Sequence, residues 1–138
     1  MTPPYFPFRR LVEGRPANAF LPIRVTNPET GKNADVYGLI DTGAGECCVP
    51  DWLAAQLGHD LKNGIHPATA QTASGKTKAW AHTMVLDVIG TRGAILLHVP
   101  AFPVRVFPGL PFVLLGVSRF LELRRLTVDY PKQVVTLA

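Results

Sequence analysis

Thirteen prolines and twelve glycines are scattered along this 138-residue chain, and they cut its apolar stretches into short runs. Proline removes a backbone donor and breaks helix interiors, while glycine marks turns and close approaches. Long helices are therefore excluded, and many short strands joined by turns are favoured. The chain reads as mainly β, with one or two short helices. Its length suits one domain with a real core. No apolar run is long enough to span a bilayer, and the N-terminus, Met1-Thr2-Pro3-Pro4-Tyr5-Phe6-Pro7-Phe8, has no charged-then-apolar leader pattern. A cytoplasmic location is expected.

Residues 1–10 combine three prolines with three aromatics, so they form no central strand. They are expected to be a loose arm or a segment packed on a partner. Residues 19–25 and 35–40 read as strands, and the turn-rich 27–33 between them predicts a hairpin. Residues 50–58 read as a short helix with Pro50 in its first turn and Gly58 at its end. Trp52, Leu53 and Leu57 are its expected core contacts. Residues 66–74 and 76–89 are strand-like about a small, polar tip. Residues 94–99 form another strand. Pro100, Pro103, Pro108 and Pro111 then predict a connection that is no continuous central strand, with 104–107 pairing at an edge.

The chemistry concentrates at Asp41-Thr42-Gly43-Ala44. The apolar run Val36-Tyr37-Gly38-Leu39-Ile40 leads into it, and Gly45-Glu46-Cys47-Cys48-Val49-Pro50 follows. By chance, Asp-Thr-Gly occurs in roughly a few per cent of chains this long. A plain turn also explains an isolated copy, because Asp and Gly are common turn residues. Solvated turns have polar flanks, however, whereas here apolar residues stand on both sides. A carboxylate at the end of a buried strand, followed by a hydroxyl and a flexible backbone position, suits hydrolysis by a water held between carboxylates. Asp35, Asp51, Asp60, Asp87 and Asp129 lack the Thr/Ser-Gly that would make a second copy.

Downstream, Phe112-Val113-Leu114-Leu115-Gly116 is an apolar strand ending in glycine. With Asp41-Thr42-Gly43-Ala44, it resembles the retropepsin-like aspartic proteases. The tail from Leu126 to Leu137 is similar to the closing strand pair of their bacterial members. The resemblance covers residues 18–138, leaving 1–17 as an N-terminal arm. It implies a closed acid-protease barrel with a flap hairpin. It also implies an aspartic endopeptidase in which Asp41 and its copy across a two-fold axis at Asp41-Thr42-Gly43 hold the water between them. Thr42 would bond across the two subunits, and Leu115 and Gly116 would support the loop from behind. Extended peptide would bind along Gly43, Ala44 and Gly45 and under the flap tip at Ala73, Ser74 and Gly75. Gly45 stands where many members carry Asp or Ser, and Cys47 where Ser or Thr is common. An idle domain of the same fold, acting in peptide binding or dimerisation, is the alternative.

No cofactor or metal is implied. His59, His66, His82 and His98 show no ligand spacing and read as surface or satisfied residues. Cys47 and Cys48 are adjacent, too close for ordinary disulfide geometry, and read as reduced buried thiols. No sequence pattern nominates a histidine partner for a cysteine nucleophile. The net charge of +4 comes mostly from singly scattered basic residues. Nucleic-acid modules cluster such charge and interleave aromatics, so no nucleic-acid partner is expected and a basic β-barrel binding oligonucleotides is the remote alternative.

Overall fold

Alternating burial builds the sheets. A computed structural model describes residues 2–62, 66–72 and 75–138, with backbone alone for 66–72 and 75–79. In chain order the elements are β1 (Tyr5–Pro7), β2 (Phe20–Thr26), β3 (Asn33–Ile40), β4 (Cys48–Pro50), α1 (Asp51–Gln56), β5 (His66–Thr72), β6 (Gly75–Ile89), β7 (Ile95–Phe107), β8 (Val113–Leu115), β9 (Leu126–Asp129) and β10 (Val134–Leu137). Single 3-10 turns lie at Thr91–Gly93 and Leu121–Leu123. Strands β2, β3, β8, β4, β7 and β6 follow one another round a ring that β6 closes back onto β2. The fold is thus mainly β with a closed six-stranded barrel. β5 extends the sheet from β6, outside the ring.

Inward positions recur with the strand period of two. Leu21, Ile23 and Val25 of β2, Met84, Leu86 and Val88 of β6, and Val104 and Val106 of β7 all join one core. Outside, Arg24 pairs with the Asp35 carboxylate at 2.8 Å across β2 and β3, and stands opposite Asp87 of β6. Asp87 in turn meets His98 Nδ1 of β7 at 2.6 Å.

The proline-rich stretch departs from expectation. β7 runs unbroken through Pro100 and Pro103, and residues 104–107 lie inside the sheet rather than at its edge. The register explains the tolerance. Phe102 faces Met84 while Val99 faces Leu86, so residues 100 and 101 bulge opposite Val85 alone. Burial resumes in phase after the bulge, with Leu97 and Val99 before it and Phe102, Val104 and Val106 after it. β4 joins β7 only at 105–107, so around Pro103 one side of β7 needs no donor.

The terminal segments form a separate sheet in the order β1-β10-β9. The N-terminal arm therefore packs on its own chain. Phe8 N donates to Gln133 O at 2.8 Å, and the Phe8 and Tyr130 rings meet edge-on at 5.5 Å. β10 has neighbours on both sides, so its apolar edge is already satisfied.

α1 buries Leu53 and Ala54, and Leu57, which caps its end, is buried with them, as the spacing predicts. Trp52 departs: it is 51% exposed and lines an open apolar groove of about 230 Å³ with Leu11, Tyr37, Pro50 and Phe112. The turn between β2 and β3 caps the helix. Buried Asn27 donates Nδ2 to Leu57 O at 2.9 Å and accepts Glu29 N at 3.0 Å, while Thr30 Oγ1 donates to the same Leu57 carbonyl. Gly58 ends the helix at φ +88, a conformation that favours glycine. Asn27→Ala removes the turn's own staple and is expected to cost about 2 kcal/mol, read as a lower urea midpoint with an unchanged slope.

Candidate active site

The site begins where β3 ends. β3 runs parallel to β8, pairing Ile40 with Leu115, and β8 meets β4 at Leu114 and Cys48. Asp41 leaves β3 beside this junction, its N–H donating to Leu115 O at 3.1 Å. Oδ1 of Asp41 accepts Gly43 N at 3.0 Å, and Asp41 O accepts Ala44 N at 3.1 Å. The carboxylate thus holds its own turn, as Asp does in Asx turns. Asp41 is half-buried, while Thr42 and Gly43 are exposed. Among the described residues no Lys or Arg forms an ion pair with Asp41.

A second loop is laced to the first. Val117 N donates to Ala44 O at 3.0 Å and Ser118 N to Gly45 O at 2.8 Å. Next to these hydrogen bonds the backbones touch at Gly116, where a Cβ would lie 2.3 Å from the carbonyl carbon and oxygen of Glu46. Its N–H donates to Cys47 Sγ at 3.4 Å. The structure therefore brings Asp41, Thr42, Gly43, Ala44, Gly45, Leu115 and Gly116 together. Gly75 opens β6 opposite Thr72. Ala73 and Ser74 lie outside the described residues.

Two contacts escaped the sequence reading. Glu46 forms an ion pair with Arg105, tying the loop's far end to β7, where Arg105 N also donates to Cys47 O at 3.1 Å. Opposite charges 59 positions apart carry no local signal. The Cys47 acceptor role was foreshadowed only by thiol standing where hydroxyl is common.

Both cysteines are free and buried. Burial pushes the Cys47 thiol up to about 12, against the Gly116 hydrogen bond. Burial likewise pushes Cys48 up to about 11, with Arg105 opposing and the Glu46 and Asp41 charges adding. Both stay protonated at neutral pH, which removes the thiolate that a cysteine nucleophile needs. Among the described residues no group of three or more His, Cys, Asp or Glu could hold a metal ion. Among them, too, no helix is long and apolar enough to cross a membrane.

A closed barrel whose single Asp-Thr-Gly loop is stitched to an apolar-apolar-Gly loop defines an aspartic-protease-like domain of the retropepsin type. The family profile described as "gag-polyprotein putative aspartyl protease" matches residues 31–122, and the chain belongs to that family. Among solved structures, a retropepsin-like aspartic protease from Rickettsia conorii shares the fold. It matches with a TM-score of 0.61 at 22% identity, over 96% of this chain and 97% of that one. No curated protein matches the chain significantly in sequence.

Proposed function

We propose that the chain is an aspartic endopeptidase that works as a homodimer, with Asp41 from each subunit forming the catalytic pair. The observation that carries this reading is a single Asp41 on a loop that presents Thr42 and Gly43 to solvent. Hydrolysis needs a base for the water and an acid for the carbonyl oxygen or leaving amine. Two close carboxyls sharing one proton supply both, since like charges there resist double ionisation; the aspartic-protease pair is the standard case. A two-fold axis through the loop supplies the second carboxyl.

Thr42 then bonds across the axis, and Gly43 and Ala44 leave room for an extended peptide held by main-chain hydrogen bonds. Val117, 40% exposed beside Ala44, gives apolar surface for the partner copy. β10 is enclosed by β1 and β9, so contact at the terminal sheet falls on β1 or β9 unless β1 is displaced. Gly45 has no atom near a would-be Cβ and offers no side-chain anchor to the peptide backbone. That feature favours the second reading, a peptide-binding or dimerising domain with little activity.

The deciding experiment follows cleavage of a mixed peptide library from roughly pH 4 to pH 7 while the protein is diluted. Below the dimer's dissociation constant, the rate is expected to fall with the square of protein concentration, as sedimentation shows monomers appearing. A rate linear throughout would remove the shared site. No cleavage by a proven dimer would favour the binding reading.

A further inference from the structure

The candidate active site uses none of the four histidines, and two of them meet at a junction. His59 follows α1, with its N–H donating to Ala54 O at 3.0 Å. His82 lies on β6 at the first position beyond the β5 pairing, which ends at His66 and Ala81. It is the point where the β5–β6 hairpin enters the barrel. The two rings lie 4.9 Å apart at 53°. The Nε2 atoms of both are buried, and neither has a hydrogen-bond partner.

We propose that His59 and His82 form a pH-operated brace, holding the root of the β5–β6 hairpin to the end of α1 while both rings are neutral and releasing it when they take up protons. Two neutral imidazoles pack as apolar discs. A protonated ring needs an acceptor at Nε2, and a second proton sets like charges a ring's width apart in a desolvated place. His82, 6% exposed, cannot reach water where it stands, whereas half-buried His59 on its loop can swing out. Release therefore means separation of the α1 end from β6.

The surroundings oppose this only in part. The carboxylate of Glu29, on the turn between β2 and β3, favours protonation of both rings, and Asp60 favours that of His82. Lys32 of the same turn lays its stem toward Gly58. From β7 the residue opposite His82 is the apolar Val104. Burial outweighs the carboxylates and, with His82 adding its charge against His59, holds both rings below their ordinary 6.5. A histidine lowered on folding contributes stability that is fully present above its unfolded value. That stability is lost as pH falls from about 6.5 through the lowered value. The brace is closed at neutral pH and opens in acid.

The test reads amide exchange, not cleavage, so it stands apart from the peptidase reading. Exchange over α1 and residues 80–84, corrected for intrinsic rates, is compared at about pH 7.5 and about pH 5. The wild-type chain is expected to exchange roughly tenfold faster in acid, the factor one differential proton gives per pH unit. A His59→Phe/His82→Phe chain keeps two rings and cannot titrate there, so its response should shrink to less than about twofold. An unchanged response in that variant, or none in the wild type, overturns the brace. If the variant does not fold, NMR titration of the wild-type rings decides. Both must titrate below their ordinary value, over the interval where exchange accelerates, and a mismatch overturns the proposal.

Discussion

Asp41→Asn is expected to leave the chain folded and to reduce peptide hydrolysis by at least about a thousandfold, within the range that acid–base groups contribute. The substitution suits the purpose because the amide oxygen can still accept Gly43 N, the bond that holds the turn. Melting temperature and dimer affinity should therefore move little, while neither subunit offers a carboxylate. A mixing experiment sharpens the result. With equal amounts of wild-type and Asp41→Asn chains, random pairing leaves about a quarter of dimers with both aspartates. Activity at fixed total protein should fall to about that quarter. A fall to half would mean that each chain acts alone. Equal library cleavage by the two preparations would assign the activity to something other than this loop.

The legible parts of this molecule are those whose physics is local. Leu21, Ile23 and Val25 alternate because one face of β2 is buried, and that alternation is visible in the chain. Pro50 and Gly58 bracket α1 for reasons confined to a few residues. The loop was legible through residue types that need each other: an apolar strand into Asp41, and another into Gly116. Failures occurred where a distant neighbour decides. Pro100 argues against a strand until the bulge opposite Val85 is known, and Pro103 until β4 is seen to stop at residue 105's partner. Trp52 has helical spacing for the core, yet it opens onto a groove. His59 and His82 resembled any two surface histidines, because nothing within a few positions of either announces that α1 ends against β6. The C-terminal strand was legible as apolar, but its neighbour β1 comes from the other end of the chain.

Among the described glycines, Gly116→Ala is expected to be the most damaging change to alanine. The glycine is required there by approach distance, because the contact atoms are backbone. A methyl would sit 2.3 Å from the Glu46 carbonyl carbon and oxygen and 2.9 Å from Cys47 N. Neither loop can retreat freely. Val117 N and Ser118 N bind Ala44 and Gly45 on one side of the contact, and Asp41 N binds Leu115 O on the other. Overpacking of this kind costs about 3 kcal/mol, which corresponds to a melting temperature lower by roughly 10 °C for a chain of this size. Cleavage should fail as well, since a loop displaced by about 1 Å costs on the order of a hundredfold in rate. Gly38→Ala is the comparison. The three atoms nearest its methyl all belong to the buried Leu115 side chain, at 2.9 to 3.0 Å, and a side chain can shift by a few tenths of an ångström where two laced backbones cannot. The expected cost is nearer 1 kcal/mol, with activity largely kept. If the two alanines prove equally mild, the loops are not in backbone contact and Gly116 does not set the height of Asp41. If Gly116→Ala is unstable while Gly38→Ala is not, the apolar-apolar-Gly element is tied to catalysis by a distance: it is the surface on which the Asp41 loop rests.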